Sequence, residues 1–354
     1  MKDSEKKKIF VGLSGGVDSS VAAALLIGQG HEVTGIHLKC VNVDGCAERD
    51  ADDARRVAEQ LAIPFYVFDL EREYRERVVD YMVRGYEAGI TPNPDVMCNK
   101  EIKFGLFLAR ALELGATHVA TGHYVALREK EGVFSLYAAK DGNKDQSYFL
   151  WTLGQEELAH CLFPLGDITK PEVRAIAGKL GLVTAKKKDS QGICFLGQVS
   201  AVEFLKGYIP ERKGTIVTDM GEEVGRHDGA EFYTIGQRHG LKIGGRKEAL
   251  YVSGKDIGKN TITVAEGASH ASLYASKAML SDMSFVNPIT PSRYPMKVRA
   301  RVRYRQPLAN ATLEAPKKGV SELIFDEPQK AVAPGQSAVL YATDGEMIGG
   351  GVIM

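Results

Sequence analysis

A short run of glycine and hydroxyl residues near the N-terminus has the composition of an anion-binding turn. A strand-like apolar segment precedes Ser14-Gly15-Gly16-Val17-Asp18-Ser19-Ser20, and a helical pattern follows it. The two glycines allow a tight turn and a close approach of backbone to a ligand. The start of the helix adds unpaired N–H groups and the positive end of its dipole. The run is therefore predicted to cradle phosphate, although a plain strand–turn–helix with Ser19 as N-cap would share these features.

The full string separates these two interpretations. It lacks the lysine of a GxxxxGK[ST] loop, so it is not built to transfer a terminal phosphoryl group. SGGVDS resembles the PP-loop of the ATP pyrophosphatases, which cleave ATP between the α- and β-phosphates. This resemblance implies that the loop grips pyrophosphate and that Asp18 helps to organise Mg²⁺ and phosphate.

Cys98 has neighbours in sequence that could activate a thiol. The stretch TPNPDVMCNKEIKF contains two prolines and an asparagine, which predicts a loop followed by a helix from Ile102. Cys98 would then lie near a helix N-terminus and near Lys100 and Lys103. Both features lower a thiol pKa from about 8.5. Cys98 is therefore predicted to be a reactive thiolate, against the common alternative of a small buried hydrophobe.

Cys194 has a comparable setting. Three lysines at 186–188 precede it, and Gly192 frees the local backbone. Cys161, in contrast, falls in an apolar pattern that reads as a helix, and we predict that it is a core residue.

A further cluster of possible ligands follows the second predicted strand. Its H-x₂-C-x₅-C spacing is not a standard zinc spacing, so no metal site is predicted. The cluster would lie near the base of a bound nucleotide, or its cysteines would be exposed thiols without a role. Its members are His37, Cys40 and Cys46.

The elements that must position these residues alternate between strand and helix in the first half of the chain. Predicted strands cover residues 8–13, 32–39, 65–70 and 118–121. Predicted helices cover residues 19–27, 50–61, 71–87 and 102–114. This alternation predicts an α/β fold with a doubly wound parallel sheet covered on both faces. Ligands bind such sheets at the carboxyl ends of the strands.

After about residue 205 the helical patterns give way to short β-rich runs separated by glycines. The runs GTIV, EEVG, EFYTIG, ALYVSG and NTITVAE predict a small all-β unit. The runs KVRARVRY, ATLEA, SELIFDE, SAVLYA and GGGVIM predict a small β-barrel. The predicted division is an ATP-binding catalytic domain at 1–204, a central β domain at 205–272 and a C-terminal barrel at 273–354.

The amino-acid composition excludes few classes of protein. Of 354 residues, 44% are hydrophobic, and Lys+Arg and Asp+Glu are both 45, so net charge points to no acidic partner. The start MKDSEKKKIFVGL lacks the apolar core of a secretory signal, and the longest apolar run is too short to span a bilayer. We therefore expect a cytoplasmic protein without a membrane partner, whose few cysteines act chemically rather than as structural bridges.

A basic pattern near the C-terminus suits nucleic acid. Between Asp282 and Glu314 the chain carries no acidic residue. Because a strand sends alternate residues to opposite faces, one strand would place five cations on one side and apolar residues on the other. Solvated strand faces usually mix charges, whereas a row of one sign suits a phosphate backbone. The five cations are Lys297, Arg299, Arg301, Arg303 and Arg305.

Seven strings, taken in order, resemble those of the tRNA-specific 2-thiouridylases (the MnmA/TrmU family) of the PP-loop ATP pyrophosphatase superfamily. They are GLSGGVDSS, TPNPDVMCNKEIKF, ATGHY, KDQSYFLW, DSQGICF, FYTIGQR and RVRYRQ, and they cover essentially the whole chain. The resemblance implies an adenine nucleotide α-hydrolase-like domain followed by two small all-β domains. The implied reaction is ATP-dependent replacement of O2 of the wobble uridine (U34) of tRNA by sulfur, with release of AMP and pyrophosphate.

The resemblance also assigns roles to individual residues. Cys98 matches the nucleophile and Cys194 the cysteine that carries the persulfide; Cys98 would either end in a disulfide with Cys194 or assist the attack as a thiolate. ATP is expected at Gly12, Leu13, Ser14, Gly15, Gly16, Val17, Asp18 and Ser19, with Leu38 and Gly122 near the adenosine. The tRNA is expected at Asn93, Pro94, Asp95, His123, Lys144, Asp145, Gln146, Arg303, Tyr304 and Gln336.

The implied partners are ATP with Mg²⁺, the tRNAs for Lys, Glu and Gln, and a cysteine desulfurase or sulfur-relay protein. Leu38 stands where methionine is usual, Gln191 replaces a usual threonine, and GIHLKCV departs from a usual GMFMKNW, which affects the adenosine pocket rather than the chemistry. Two alternatives stay open. Another PP-loop enzyme that adenylates a small metabolite would explain the loop but not the paired cysteines. A non-enzymatic RNA-binding protein would explain the barrel but not the loop.

Overall fold

The computed structural model describes residues 6–40, 46–188 and 199–354. Its N-terminal part is built on a five-stranded, all-parallel sheet in the order β3-β2-β1-β4-β7, which confirms the predicted α/β architecture. β5 and β6 pair separately as a hairpin that the sequence patterns did not reveal. These strands are β1 (Lys8–Gly12), β2 (Glu32–Lys39), β3 (Phe65–Asp69), β4 (His118–Ala120), β5 (Ala126–Lys130), β6 (Val133–Tyr137) and β7 (Cys161–Leu162).

The central strand β1 shows why the sheet needs helices on both faces. Phe10 packs into an apolar cluster with Phe107, while Ile9 and Val11 pack on the opposite face with Ala54. Because successive side chains point to opposite faces, each face of the sheet has its own core. The carboxyl ends of β1, β2 and β4 are left to form the loops of the site.

The described ranges contain the following α-helices, several of which cover the two faces of the sheet. They are α1 (Val17–Gly28), α2 (Cys46–Gln60), α3 (Glu71–Tyr74), α4 (Asp80–Glu87), α5 (Pro94–Met97), α6 (Phe107–Glu113), α7 (Gln155–Leu158), α8 (Lys170–Lys179) and α9 (Ala201–Lys206). Two π-helical segments, Arg75–Val79 and Cys98–Leu106, join α3 to α4 and α5 to α6. Within the described ranges, no helix combines the length and the apolar character needed to cross a membrane.

The helix that carries Cys98 begins earlier than predicted. It starts at Pro94 rather than at Ile102, with Asn93 as N-cap accepting a hydrogen bond from the Val96 N–H at 3.3 Å. Asparagine at the cap and proline at the first helical position both favour a helix start, so the prolines mark a boundary and not a long loop. Cys98 therefore lies inside the helical stretch, where the π-helical segment begins.

Cys161 is a core residue, as predicted, but its element was predicted wrongly. It is 2% exposed and pairs with Val119 in the two-residue strand β7, after α7 has ended at Leu158. An apolar run this short has no periodicity that distinguishes a strand from a helix.

The two β units follow. The central one has the strand order β10-β11-β8-β9; its EFYTIG run, predicted as a strand, instead contains the 3₁₀ turn Ala230–Phe232. The last unit is a closed barrel, as predicted, in the order β12-β15-β14-β13-β16-β17. Their strands are β8 (Gly214–Thr218), β9 (Glu223–His227), β10 (Leu250–Asp256), β11 (Thr261–Glu266), β12 (Tyr274–Phe285), β13 (Met296–Arg301), β14 (Ala309–Leu313), β15 (Ser321–Lys330), β16 (Ser337–Tyr341) and β17 (Met347–Ile353).

The predicted row of five cations on one strand is wrong. β13 ends at Arg301, and the chain turns so that Arg305 has a φ of +63°. Arg301 is half-buried and its guanidinium donates to the Asp145 carboxylate at 3.1 Å. Alternation in the sequence could not show where the strand stops. Arg303 and Arg305 remain exposed, but they lie in the turn beyond the strand.

Hydrogen bonds between buried groups dock the barrel on the α/β unit. The Trp151 indole donates to the Ser337 hydroxyl at 3.0 Å, and the Tyr148 hydroxyl donates to the Ser337 carbonyl at 2.9 Å. The hydroxyls of Ser147 and Tyr341 lie 2.8 Å apart. These contacts fix the barrel beside the helix that carries Cys98.

Candidate active site at the carboxyl edge of the sheet

The phosphate loop follows β1 directly. Gly16, and not Ser19, is the N-cap of α1, and it has no side chain to cap the helix. Ser19 instead fastens the loop: its hydroxyl donates to the Gly16 carbonyl and accepts from the Ser14 N–H, each at 3.2 Å. The first-turn N–H groups of α1 thus keep their capacity to bind an anion.

Two glycines permit close packing around this loop. Gly15 has a φ of +72°, and a Cβ there would lie 2.4 Å from the backbone carbonyl oxygen of Asp50. Gly122, which follows β4, would bring a Cβ within 2.7 Å of the Ser19 nitrogen. The segment after β4 therefore lies against the first turn of α1, on the same edge of the sheet.

Replacing Gly15 with alanine should destabilise the protein and weaken ATP binding. The left-handed conformation costs an L-residue roughly 1–2 kcal/mol, and the clash with Asp50 adds to this strain. Gly28→Ala is the matched control, because a Cβ at Gly28 meets nothing within 4 Å. Thermal unfolding and equilibrium ATP binding measure both effects. Equal stability of the two variants would contradict the described loop geometry.

Asp18 is held by a lysine that sequence reasoning missed. The Lys170 ammonium lies 2.7 and 2.8 Å from the two carboxylate oxygens of Asp18, and the Tyr124 hydroxyl donates to Asp18 at 2.7 Å. Lys170 is only 8% exposed. It is the first residue of α8, where the helix dipole disfavours a cation. A lysine in the first turn of a predicted helix is the one feature of the sequence that could have indicated a nearby anionic partner.

Cys98 is a buried thiol, which corrects the predicted thiolate. It is 3% exposed, and burial raises the pKa of its thiol; Asp95 also raises it, while Lys103 and a hydrogen bond with Tyr74 only partly offset the effect. Lys100 is the other lysine that was expected to lower the pKa of Cys98, and its ammonium lies 3.9 Å from the Glu101 carboxylate. Nearness in sequence did not predict that Cys98 packs into the apolar core of this unit.

His123 lies in an enclosed, apolar setting. Its Nδ1 is 2.8 Å from the Thr121 hydroxyl, and its ring centroid lies 5.9 Å from that of Phe104 and 6.3 Å from that of Phe163. Burial, with a contribution from Lys103, lowers the pKa of His123 well below its ordinary value. The imidazole is therefore neutral near pH 7.

Several residues expected to contact tRNA have internal partners. Asp145 is 2% exposed, and its carboxylate accepts from the Ala139 and Ser147 N–H groups as well as from Arg301, so the side chain is enclosed by protein donors. These internal donors argue against the predicted contact of the Asp145 side chain with RNA, because buried polar groups of this kind usually hold the fold together. Gln146 accepts a hydrogen bond from the Tyr124 N–H at 2.9 Å.

The segment expected to meet the target base is tied to the barrel. Gln336 donates to the Thr91 carbonyl at 2.8 Å, just before the N-cap Asn93. Asn93 and Pro94 are buried, whereas Asp95 and Lys144 are half-buried. Gln336 and Asn93 therefore support the start of the Cys98 helix.

Arg303 and Tyr304 lie in the turn after β13. Arg303 is exposed, and the Tyr304 ring packs at a tilt against Phe149, with 4.5 Å between ring centroids. The Arg305 guanidinium lies 5.2 Å from the centre of the Tyr304 ring. Exposed arginines beside a partly exposed aromatic ring suit RNA phosphates and bases.

The remaining candidates have structural surroundings. Leu38 is half-buried against the same apolar cluster as Cys98. His37 is buried with its Nδ1 3.0 Å from the Leu13 carbonyl, and burial lowers its pKa. Cys40 is half-buried. In the parts of the chain that the structure describes, no group of three or more His, Cys, Asp or Glu residues could hold a metal. Cys194 and Gln191 lie outside the described residues.

Comparison with known proteins covers the whole chain. Three protein-family models match consecutive parts of the chain. The family model described as "tRNA methyl transferase HUP domain" matches residues 7–198, the one described as "tRNA methyl transferase PRC-barrel domain" matches 202–266, and the one described as "Aminomethyltransferase beta-barrel domain" matches 275–353. Among solved structures, NMN synthetase from Francisella tularensis covers 57% of this chain and 73% of its own, at 20% identity and a TM-score of 0.36. A TM-score and a sequence identity this low do not support a conclusion about this chain.

Two curated relatives are far more similar. A tRNA-specific 2-thiouridylase from Pseudomonas aeruginosa (strain UCBPP-PA14) is 47% identical over 358 residues, covering 98% of this chain and 94% of its own. Its counterpart from Streptococcus thermophilus (strain CNRZ 1066) is 47% identical over 366 residues, covering 100% and 96%. The resemblance in the sequence strings is thereby confirmed, and the chain belongs to the tRNA-specific 2-thiouridylase family.

Proposed function

We propose that this protein replaces O2 of the wobble uridine of tRNA with sulfur at the expense of ATP. The observation that supports the proposal is that the helical stretch that carries Cys98 packs against the segment after β4, which in turn packs against the phosphate loop. Phe104, in the π-helical segment that begins at Cys98, lies 5.9 Å from His123 between ring centroids. A Cβ at Gly122, adjacent to His123, would lie 2.7 Å from the Ser19 nitrogen. An enzyme that adenylates a small metabolite would need the loop but not the cysteine, and family membership favours tRNA.

The phosphate loop fits a nucleotide. We propose that ATP phosphates bind at 12–19, with Leu38 and Gly122 beside the adenosine. The tight approach at Gly15 supports this role, and Lys170 neutralises Asp18 so that its carboxylate does not repel phosphate. Asp18 accepts three hydrogen bonds, and a carboxylate offers about four lone-pair sites, so it retains capacity toward Mg²⁺. When bound, Mg²⁺ supplies charge neutralisation for the departing pyrophosphate.

The sulfur step follows from the poor leaving group on uracil C2. Adenylation makes the C2 oxygen part of AMP, which leaves readily. The terminal sulfur of a Cys194 persulfide, having lost its proton, attacks C2 and displaces AMP. The Cys98 thiolate then attacks the Cys194 sulfur, which releases 2-thiouridine and leaves a Cys98–Cys194 disulfide for a thiol reductant to reopen. In the alternative course, Cys98 assists the attack as a thiolate.

The proposed tRNA surface combines the exposed turn and the base-facing segment. Arg303 and Tyr304 would contact the backbone and a base, while the target uridine is extruded from its stack toward Cys98, because a stacked uridine hides its C2 edge. The Asp145 side chain is left out of this surface, since it is enclosed by protein donors. The proposed contacts are Asn93, Pro94, Asp95, His123, Lys144, Gln146, Arg303, Tyr304 and Gln336.

Replacing Arg303 with alanine should weaken tRNA binding and reduce its salt dependence. Loss of one phosphate contact lowers the slope of log K against log salt by about one unit. Arg303 is exposed, so the fold should be unaffected. Lys317→Ala, at an exposed lysine in a different turn of the barrel, is the control. Binding titrations between low and moderate salt give the slopes, and an unchanged slope in Arg303→Ala would remove this residue from the interface.

The wider assignments are also proposals. We propose that the chain divides at 204 and 272, that the protein works in the cytoplasm, and that it reads the tRNAs for Lys, Glu and Gln. Sulfur would come from a cysteine desulfurase or a sulfur-relay protein. The ranges matched by the three family models are compatible with this division.

Mass analysis of nucleosides tests the function directly. Unmodified tRNA is incubated with the protein, ATP, Mg²⁺ and a sulfur donor, then digested. A nucleoside heavier than uridine by the difference between sulfur and oxygen should form only when ATP is present. ATP cleavage that proceeds equally well without tRNA, with no sulfur incorporated, would instead favour adenylation of a small metabolite.

A further inference from the structure

A cavity of about 300 Å³ lies in the barrel next to the turn that follows β13. Its walls are residues 306–310, which continue the chain directly after that turn, and Asp326, Glu327 and Gln329 of β15. Residues 307–309 give the cavity apolar surface, and the rest of its lining consists of amides and carboxylates. Apolar surface combined with a few polar groups is the usual composition of a small-ligand site, and such sites begin at about this volume.

The hydrogen bonds of two amides in the wall fix their orientation. The Gln329 Nε2 donates to the Glu327 backbone carbonyl at 2.8 Å, and a carbonyl can only accept. Gln329 therefore presents its Oε1 to Gln306, whose Nε2 donates to it at 3.0 Å. Reversing either amide would set two acceptors against each other, so the network determines which atom of Gln306 faces Gln329.

This order leaves the Gln306 Oε1 as the acceptor at the end of the amide chain. The atom is buried, and in the ranges that the structure describes no donor forms a hydrogen bond with it. A buried acceptor without a donor lowers the stability of a fold, so its presence calls for an explanation other than folding. Gln306 lines the cavity, and a ligand that carries an N–H group would supply the donor.

The charges around the cavity divide by sign. Asp326 and Glu327 are exposed carboxylates that form no salt bridge with any described residue. Arg303 and Arg305, on the adjoining turn, are exposed guanidiniums. Carboxylates beside a phosphate-binding turn would weaken the binding of RNA unless they met N–H groups of bases. An RNA strand has this same division, with phosphates along its backbone and N–H donors on the edges of its bases.

The turn also connects the cavity to the helical stretch that carries Cys98. Tyr304 packs against Phe149, and the Phe149 carbonyl accepts from Asn99, the neighbour of Cys98, at 3.2 Å. A base held in the cavity would therefore belong to a nucleotide close to the target uridine.

We propose that this cavity, here called the second-base site, receives an unstacked uracil or guanine of the tRNA in addition to the target uridine. The Gln306 Oε1 accepts from the ring N–H of that base, and Asp326 and Glu327 are further acceptors. Uracil and guanine carry an N–H at the centre of the Watson–Crick edge, whereas adenine and cytosine carry an acceptor there, which these oxygens repel. The inference rests on the proposed function and deepens it, because the site selects among RNA sequences.

Chemical probing of tRNA bound to the full-length protein tests this site. A carbodiimide modifies unpaired uracil and guanine at the ring N–H, and dimethyl sulfate modifies unpaired adenine and cytosine at the ring acceptor. In the wild-type complex, one uracil or guanine of the anticodon loop besides the wobble uridine should be protected from the carbodiimide. In Gln306→Leu that protection alone should be lost, and the affinity for tRNA should fall roughly 5- to 20-fold. The salt dependence should stay unchanged, because no charge is removed.

Gln29→Leu makes the same substitution at an exposed amide after α1 and should change neither affinity nor protection. Thermal unfolding of Gln306→Leu should stay close to that of the wild type, since the variant loses one hydrogen bond but also an unsatisfied acceptor.

The inference is overturned if Gln306→Leu keeps the wild-type affinity and protection, or if all protections are lost together. Protection of an adenine or cytosine in place of a uracil or guanine also overturns it. A wild-type protein that binds tRNA without protecting a second base overturns the inference but not the proposed function, whereas one that binds no tRNA overturns both.

Discussion

Replacing Cys98 with serine should abolish 2-thiolation of tRNA while the protein stays folded. Serine nearly matches the shape of cysteine in this buried site, but its hydroxyl does not ionise to a nucleophile that can attack sulfur. We expect a fall in rate of at least about a thousandfold, similar to the loss of other covalent nucleophiles. Nucleoside mass analysis after incubation with ATP and a sulfur donor measures the product.

Cys161 provides the matched control for this prediction. It is as deeply buried as Cys98, and burial likewise raises its pKa, but it lies in β7. Cys161→Ser should retain thiolation. Loss of activity in both variants would mean that any polar substitution in these cores inactivates the enzyme, and full activity in Cys194→Ser would end the persulfide mechanism.

The raised pKa of Cys98 adds a pH signature to the same prediction. Because burial favours the neutral thiol, the thiolate fraction near pH 7 is small and grows as pH rises through the raised pKa. If the thiolate limits the sulfur step, wild-type thiolation should still be increasing above pH 9, where an ordinary thiol is already ionised. A rate that levels off below pH 8 would show that tRNA binding or a conformational change lowers this pKa first.

Lys170→Met should nearly eliminate ATP cleavage, the second large effect. The substitution keeps the length and the apolar stem of the side chain but removes the charge 2.7 Å from Asp18. Asp18 would then keep only the Tyr124 hydroxyl of these partners, and its negative charge would oppose the phosphates. We expect a loss of roughly a hundredfold or more in pyrophosphate release, within the range for removal of one charged group from an active site.

A double-mutant cycle shows whether Lys170 acts through Asp18. Asp18→Asn alone leaves an almost fully buried ammonium without its carboxylate and should cost stability as well as activity. If the two residues form one unit, the Asp18→Asn, Lys170→Met double variant should lose little more activity than either single variant. Strictly additive losses would assign Lys170 a separate task. Tyr124→Phe, which removes one neutral hydrogen bond to Asp18, should have a much smaller effect.

The sequence predicted those features that depend on local chemistry. The glycines and hydroxyls of the phosphate loop, the parallel sheet and the closed barrel could be recognised because turn residues and apolar periodicity determine them. Gly15 illustrates the point, since its left-handed conformation requires glycine wherever the rest of the chain lies. The two-residue strand β7 illustrates the limit, because tertiary pairing and not pattern creates it.

Contacts between distant segments could not be predicted in this way. Lys170 and Asp18 are 152 residues apart in sequence, and Arg301 and Asp145 are separated by 156. Both pairs bury charge, which is tolerated only because the partner is present. The Cys98 thiol was misjudged for a related reason: its pKa follows from the apolar side chains packed around it, and neighbouring lysines in sequence do not reveal that packing.

The lone indole of the chain gives the junction between barrel and α/β unit an optical label. Trp151 is the only tryptophan, it is 3% exposed, and a Cβ at Gly350 of the barrel would lie 2.9 Å from its ring. The wavelength of its fluorescence emission should therefore report whether water is excluded from that junction, without any attached dye. Undocking of the barrel, by a substrate or by denaturant, would expose this indole to water and be visible as a red shift of native fluorescence.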